Sequence, residues 1–373
     1  MDSTTSSIEG LNNIRPYENS LSLPLSHLCR KTITKLDCNE APYPPSSHVR
    51  RRLIEFIEND PLNWYPDTQS HDLKQKLSEY IGYPPEYILT FNGCDHALDS
   101  LCRAYLTQKD EVIFFSPTYD NFRFFVELTG ARIIPYFSSF PFQPETKNLE
   151  KLTTPNTKII YLANPNNPTG TTYTEEQIRH ILNASKALVI VDEAYFEFWG
   201  KTSLPLIKEF SNLVITRSFS KAFGLAGLRC GYLVTNPCNI RTIEKVRNGK
   251  SINALAQLAA KAALEDLAYI KEQVRCMHEV KNWCVNVMRA SGVPVVDTVA
   301  NFILIKVRQP NEVEKALMAK EILVRNRSCF PQLEGYLRIT IGLRSEMEKF
   351  AKAISSIKTE LLSAPLSPQA AWA

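Results

Sequence analysis

A lysine with chemical potential sits in the run Ser218-Phe219-Ser220-Lys221-Ala222-Phe223-Gly224-Leu225-Ala226-Gly227-Leu228-Arg229, just after the apolar segment Leu213–Arg217. A lysine amine condenses with a carbonyl when burial or nearby positive charge lowers its pKa. Two hydroxyls and an arginine close by suit a phosphate, because the planar guanidinium donates two hydrogen bonds at once. The plainer reading is a serine-capped turn with a surface lysine. Four other clusters bear on the choice. Val191-Asp192-Glu193-Ala194-Tyr195 puts a carboxylate at the end of LVIVD; it either caps the next helix or pairs with a protonated heterocyclic nitrogen, with Tyr195 reaching a ring oxygen. Asn164-Pro165-Asn166-Asn167-Pro168-Thr169-Gly170 is a turn by composition, and its Asn167 amide suits the same ring oxygen. Asn92-Gly93-Cys94-Asp95-His96 feeds an apolar-periodic run, so its free N–H groups either meet an anion or are simply capped by Asp95. Ser116-Pro117-Thr118-Tyr119 offers an aromatic ring for stacking or plain packing.

Four of these five clusters share a position, each at or after the end of a segment that reads as a strand; Asn92–His96 instead opens an apolar-periodic run. The segments are Glu111–Phe115, Arg132–Tyr136, Lys158–Ala163, Ala187–Asp192, Leu213–Arg217 and Gly231–Thr235. Continuous β-branched runs suit strands buried on both faces. Helical patterns over His71–Tyr80, Ala97–Tyr105, Glu175–Ala184 and Leu204–Glu209 lie between them. The alternation predicts a parallel sheet with helices on both faces, in which ligands bind at the carboxyl ends of the strands. Beyond residue 240 the pattern changes. A long amphipathic stretch, Ala254–Met288, leads to strand-like Asn301–Val307 and Leu337–Ile341, read as a connecting helix and a smaller α+β lobe.

The 373 residues exceed the roughly 250–300 at which one core stops growing, which predicts two lobes. A formal net charge of +4 spread over mixed charges is too weak and too mixed to point to nucleic acid or a membrane surface, and neither is expected as a partner. No apolar run approaches the roughly 18 residues of a membrane helix. The first twenty residues lack the pattern of a secretory signal, so a cytoplasmic location is expected. The nine cysteines show no zinc spacing and read as reduced thiols, with no metal expected. The opening residues and the last stretch, LLSAPLSPQAAWA, are expected to be loosely ordered. The absence of Gly-x-Gly-x-x-Gly and Walker patterns removes the main warrant for nicotinamide or nucleotide binding.

Taken together, SFSKAFGLAGLR, NPNNPTG and DEAY resemble fold-type-I pyridoxal-phosphate aminotransferases, and among them the histidinol-phosphate aminotransferases. IRPY, KLDCNEAPY, WYPD, VANFILIKV, VRNRS and YLRITIG extend the likeness from about Arg15 to Ile357. The resemblance implies an α/β fold: a large lobe on a mostly parallel seven-stranded sheet between helices, plus a smaller α+β lobe. It implies an arm over 1–35, a large domain over 36–270 and a small domain over 271–373. Pyridoxal 5′-phosphate is the implied cofactor, held as a Schiff base on Lys221, which also shuttles the proton. Asp192 matches the partner of the ring nitrogen, Asn167 and Tyr195 the residues on the ring oxygen, and Tyr119 the stacking aromatic. Gly93, Cys94, Asp95, Ser218, Ser220 and Arg229 match the phosphate site. Tyr43 matches a tyrosine that reaches the partner subunit's cofactor, so a homodimer is implied. Arg338 matches the α-carboxylate clamp, and Tyr17 and Arg325 match contacts to the substrate's distal phosphate. Glutamate is the expected donor, and imidazole-acetol phosphate the expected acceptor, giving histidinol phosphate in histidine biosynthesis.

Three departures stand against this pattern. His96 replaces an acidic residue, Trp64 replaces an arginine, and Arg247–Asn253 lacks the usual Pro/aromatic loop while gaining Lys250. Such changes leave the cofactor apparatus intact but point toward a different phosphorylated or aromatic amino compound as an alternative substrate. A decarboxylase of a phosphorylated amino acid is a second alternative. A non-catalytic cofactor-binding regulator is a third, disfavoured because such proteins usually carry a DNA-binding extension.

Overall fold

The computed structural model describes residues 14, 33–137, 142–357 and 359–362. Tyr17, most of the expected arm and the tail from residue 363 lie outside the described residues. Thirteen strands are present among those described: β1 Thr34–Lys35, β2 Ile88–Phe91, β3 Glu111–Ser116, β4 Arg132–Phe137, β5 Thr157–Ala163, β6 Leu188–Asp192, β7 Leu213–Ser218, β8 Gly231–Thr235, β9 Val295–Val296, β10 Phe302–Lys306, β11 Ile322–Leu323, β12 Arg325–Asn326 and β13 Tyr336–Thr340. Seven form one sheet in the order β2-β8-β7-β6-β5-β3-β4. All are parallel except β8, which runs antiparallel to both β2 and β7. The second sheet, β12-β13-β10-β9, is antiparallel throughout.

All six expected strands are present, but the sheet is mixed. A parallel return needs a crossover of a dozen or more residues, usually carrying a helix. The link from β7 to β8 contains only a short 3-10 turn, Ala226–Leu228, so the chain comes straight back. The seven-stranded, mostly parallel sheet that the resemblance implies is present; its seventh strand is the four-residue β2, whose place the residue pattern did not mark because it is too short to show a period. Leu204–Lys208 is a 3-10 helix rather than an α-helix, with Pro205 in its first turn. The expected helix Ala254–Met288 is two helices, Ala254–Glu265 and Leu267–Ala290, parted at Asp266, where φ is −122° and ψ 46°. Residue 270 therefore lies inside a helix.

Strand alternation divides the core. Val189 and Val191 of β6 face one apolar cluster, which runs on to β10, β13 and the helices of the small lobe. Leu188 and Ile190 face the other, beneath the helices Gly93–Tyr105, Asp120–Leu128 and Pro237–Glu244. The same alternation separates the acidic neighbours at the strand's end. Asp192 lies on the second face, and Glu193 turns to the first and pairs with Arg217 at 2.8 Å, both almost fully buried. Glu193 also accepts the Ser203 amide at 2.6 Å, and the Arg217 guanidinium lies 3.6 Å from the Phe196 ring centroid. The small lobe is tied on by β1, the end of the expected arm, which pairs with β11. Buried Lys281 joins Asp297 and the Thr298 carbonyl. No described helix is long and apolar enough to cross a membrane. The eight described cysteines are free thiols.

Removing one member of a buried ion pair leaves an uncompensated charge. Glu193→Ala is therefore expected to lower unfolding stability by about 3–5 kcal/mol, read as a lower guanidinium midpoint at unchanged slope. A shift below about 1 kcal/mol would contradict the assigned weight of this pair.

Candidate active site

The carboxyl ends of β5, β6 and β7 lie side by side, with Ala163 opposite Asp192 and Asp192 opposite Thr216. A cleft of about 340 Å³ opens above them, within the usual range for small-molecule sites. Twelve of the expected site residues line it: Cys94, Asp95, Tyr119, Asn167, Asp192, Tyr195, Ser218, Ser220, Lys221, Arg229, Arg325 and Arg338. They come from seven segments spread over 245 positions of chain, from Cys94 to Arg338.

Asp192 forms the floor. Its Oδ2 accepts the Tyr161 hydroxyl at 3.1 Å, and its Oδ1 accepts the Thr216 hydroxyl at 3.1 Å and the Ala194 amide at 3.2 Å. The Cys94 thiol donates to Oδ1 at 3.7 Å. Burial outweighs these donors and pushes the carboxyl up to about 6. A buried carboxylate held by neutral groups is well suited to a cationic ring nitrogen.

The opposite wall is a helix start. Gly93–Tyr105 begins at Asn92, whose side chain makes no capping bond, so first-turn amides are left to other partners. Two glycines allow this approach. Gly93 has φ +78°, and a Cβ there would lie 2.6 Å from Arg229 Nη2; a Cβ on Gly231 would lie 2.7 Å from the Cys94 amide nitrogen. Helix start, sheet and guanidinium thus close together. Arg229, itself in a left-handed conformation, donates to Asp95 at 3.1 Å and to the Ser220 hydroxyl at 3.4 Å. Tyr119 donates to the other Asp95 oxygen at 2.8 Å. These groups form a cradle for a phosphate.

Between floor and mouth, Lys221 Nζ donates to the Cys38 carbonyl at 3.0 Å and lies 5.9 Å from the Tyr195 ring centroid. The Tyr195 hydroxyl accepts from Asn39 at 2.8 Å. At the mouth, buried Arg338 donates to the Asn167 side-chain oxygen at 2.6 Å and to the Asp37 carbonyl. Arg325 stands directly across from it on β12.

Tyr43 does not line the cleft. It lies beside Gly224 and among Tyr269, Glu272 and Cys276, where burial raises its phenol pKa. Tyr17 lies outside the described residues. Asp37, Cys38 and Arg327 also line the cleft, as do Ala163 and Ala194, though the sequence reading gave them no role. Asp37 and Cys38 sit in KLDCNEAPY and Arg327 in VRNRS, so the signal was their place inside matched segments. The supports Tyr161, Thr216 and Asn39 had no sequence signal. None of residues 247–253 lines the cleft. Arg247 donates to the Thr90 and Thr68 carbonyls, and Lys250 stacks 4.2 Å from the Tyr65 ring centroid. The Ser251 hydroxyl lies 3.1 Å from His96 Nδ1. The altered loop, His96 and the Trp64–Tyr65 segment are therefore neighbours.

The family described as aminotransferase class I and II matches residues 31–354. A dihydroxyacetone phosphate transaminase of Campylobacter jejuni is 36% identical over 355 residues, 93% of this chain and 95% of that protein. A histidinol-phosphate aminotransferase of Ruminiclostridium cellulolyticum is 35% identical over 319 residues, 84% of this chain and 89% of that protein. Among solved structures, a histidinol-phosphate aminotransferase of Sinorhizobium meliloti in complex with pyridoxal-5′-phosphate superposes with a TM-score of 0.84 at 26% identity, over 95% of this chain and 98% of that one. Likeness of this extent, over a cleft with a buried carboxyl at its floor and a helix start with a guanidinium at its wall, makes this chain a member of the class I and II aminotransferases, with pyridoxal 5′-phosphate as its cofactor.

Proposed function

We propose that this aminotransferase moves an amino group between glutamate and a phosphorylated keto compound, with the pair histidinol phosphate and imidazole-acetol phosphate as the first reading. The observation that carries it is the cross-strand pair Arg325 and Arg338 at the mouth of the cleft. Like charges opposite each other on a sheet face repel, and an anion between them relieves that cost. A phosphorylated compound with the triose skeleton of dihydroxyacetone phosphate is the second reading. It is favoured by the likeness to the Campylobacter jejuni protein and by the loss of aromatic side chains from Arg247–Asn253.

Bound pyridoxal 5′-phosphate supplies an aldehyde that condenses with amines and a protonated ring that draws electrons from the substrate's Cα. The chain's residues hold and use it as follows. Asp192, ionised against the ring nitrogen, keeps that nitrogen protonated. Asn167 and Tyr195 hold the ring oxygen, and Tyr119 covers the ring. Ser218, Ser220, Arg229 and the amides at Gly93–Asp95 hold the phosphate. Lys221 would hold the cofactor, and its amine would serve as the base that takes the proton from the substrate's Cα. Arg338 binds the donor's α-carboxylate, and Arg325 with Tyr17 binds the distal anion. The active form in this reading is a homodimer, with Tyr43 reaching toward the partner. Support for a paired surface comes from Ile54, Ile57, Leu62, Trp64 and Tyr65, all at least half exposed along one helix and the turn after it.

Three outcomes test this reading. Loss of the proton-carrying amine removes general base catalysis worth about 10²–10⁴-fold, so Lys221→Ala is expected to lower turnover by at least about 100-fold and to abolish the lysine-bound absorbance of the cofactor. Cofactor affinity is expected to fall as pH drops through about 6. Below that pH the empty cleft holds a proton on Asp192 that pairing with the ring nitrogen must expel; above it the carboxylate is already charged. Equilibrium dialysis at pH 5 and pH 7 checks this, and Asp192→Asn should bind weakly at both. Ile57→Asp combined with Trp64→Asp is expected to shift the particle from dimer to monomer in light scattering.

A further inference from the structure

Residues two apart along a strand point to one side. The ladder joining β12 to β13 continues one residue past Asn326, where the Arg327 amide donates to the Tyr336 carbonyl at 2.9 Å. Arg327 therefore shares the face of Arg325, and with Arg338 it places three guanidinium groups on one cleft. Arg327 is 7% exposed, and its guanidinium lies 5.2 Å from the Phe330 ring centroid, a cation–π contact that limits the fork's freedom. Three carboxylates line the same cleft. Asp37 takes Lys35 at 2.8 Å, Asp95 takes Arg229, and Asp192 faces Tyr161 and Thr216. Five basic side chains line the cleft against three acidic ones.

We propose that Arg327 is a specificity-determining residue that makes the cleft select a phosphate ester over a carboxylate. A carboxylate offers two oxygens and one charge, which Arg338 or Arg325 satisfies alone. A phosphate monoester offers three terminal oxygens and nearly two charges near neutral pH, and it matches a second, pre-oriented fork beside Arg325. Glutamate, with one carboxylate for each of Arg338 and Arg325, draws little from the third arginine. This inference rests on the reading of a phosphorylated partner given above.

The test is a set of spectral half-reactions with the holoenzyme, using L-histidinol phosphate, serinol phosphate, their unphosphorylated counterparts and glutamate. Loss of one charge-assisted hydrogen bond costs about 1.5–3 kcal/mol, or roughly ten- to hundredfold. Arg327→Gln is expected to weaken apparent binding of the phosphorylated amines by that factor, with little change in the rate at saturation. The glutamate half-reaction should lose no more than about threefold. Arg327→Lys should recover part of the loss. Arg327→Met, which keeps an apolar stem over Phe330, should match Arg327→Gln if the charge is what acts; a loss confined to Arg327→Gln overturns the proposal. So does an equal loss for glutamate, or an unchanged preference for phosphorylated over unphosphorylated amines in Arg327→Gln. A wild-type enzyme that reacts with neither phosphorylated amine overturns the functional reading beneath it, whereas a preference kept in both enzymes overturns only the role of Arg327.

Discussion

Arg338 carries its charge almost out of water, at the joint between the two sheets. A buried guanidinium is tolerated only when its donors are satisfied, because its desolvation costs several kcal/mol otherwise. Its partners come from far apart in the chain: the Asn167 side chain after β5 and the Asp37 carbonyl before the first helix. The neighbouring Asn39 adds to the same knot, bonding Thr340 of β13 through its amide at 2.9 Å and Tyr195 through its side chain, while Asn301 donates to the Asn39 carbonyl at 3.0 Å. The segment 37–39, the turn after β5 and the small sheet are thereby held as one piece. The cleft lies where they meet.

A second constraint acts within the large sheet. Side chains alternate along a strand, so the adjacent acids Asp192 and Glu193 diverge to opposite faces. Glu193 locks the sheet to the segment Phe196–Ser203 through Arg217. Asp192 is left among Tyr161, Thr216 and Cys94, with neutral donors that raise no competing cation. Removal of a charge from water is destabilising by itself. In the proposed reading a cationic ring nitrogen would offset that cost, so one strand end would serve both stability and binding.

The features that set this chain apart gather away from the floor of the cleft. Lys250 on Tyr65, Arg247 on Thr68 and Thr90, and Ser251 beside His96 form one contiguous patch with exposed Trp64. The three departures thus meet in one place, where the loop before the Ala254–Glu265 helix packs against the Trp64–Tyr65 segment and His96. At the mouth of the cleft, on the small sheet, Arg327 lines the same cavity as the cross-strand pair Arg325 and Arg338.

The six longer strands of the large sheet were legible in the sequence because buried parallel strands read as continuous β-branched runs, and the chemical residues were legible because they sit at those strands' ends. Lys221, Asp192, Asn167 and Arg229 needed only local motif and order. Short β2, the reversal of β8 and the break at Asp266 were not legible, since four apolar residues carry no period and strand direction depends on what the connection can span. The supports Tyr161, Thr216 and Asn39 were also hidden: each is an ordinary polar residue whose importance comes from a partner 31, 24 or 156 positions away. Sequence alone therefore determined the reaction chemistry, which a few residue types at strand ends dictate. Only the tertiary structure decided which arginines share the mouth of the cleft and where the altered loop lies, because those depend on strand register and on contacts between segments that local pattern does not encode.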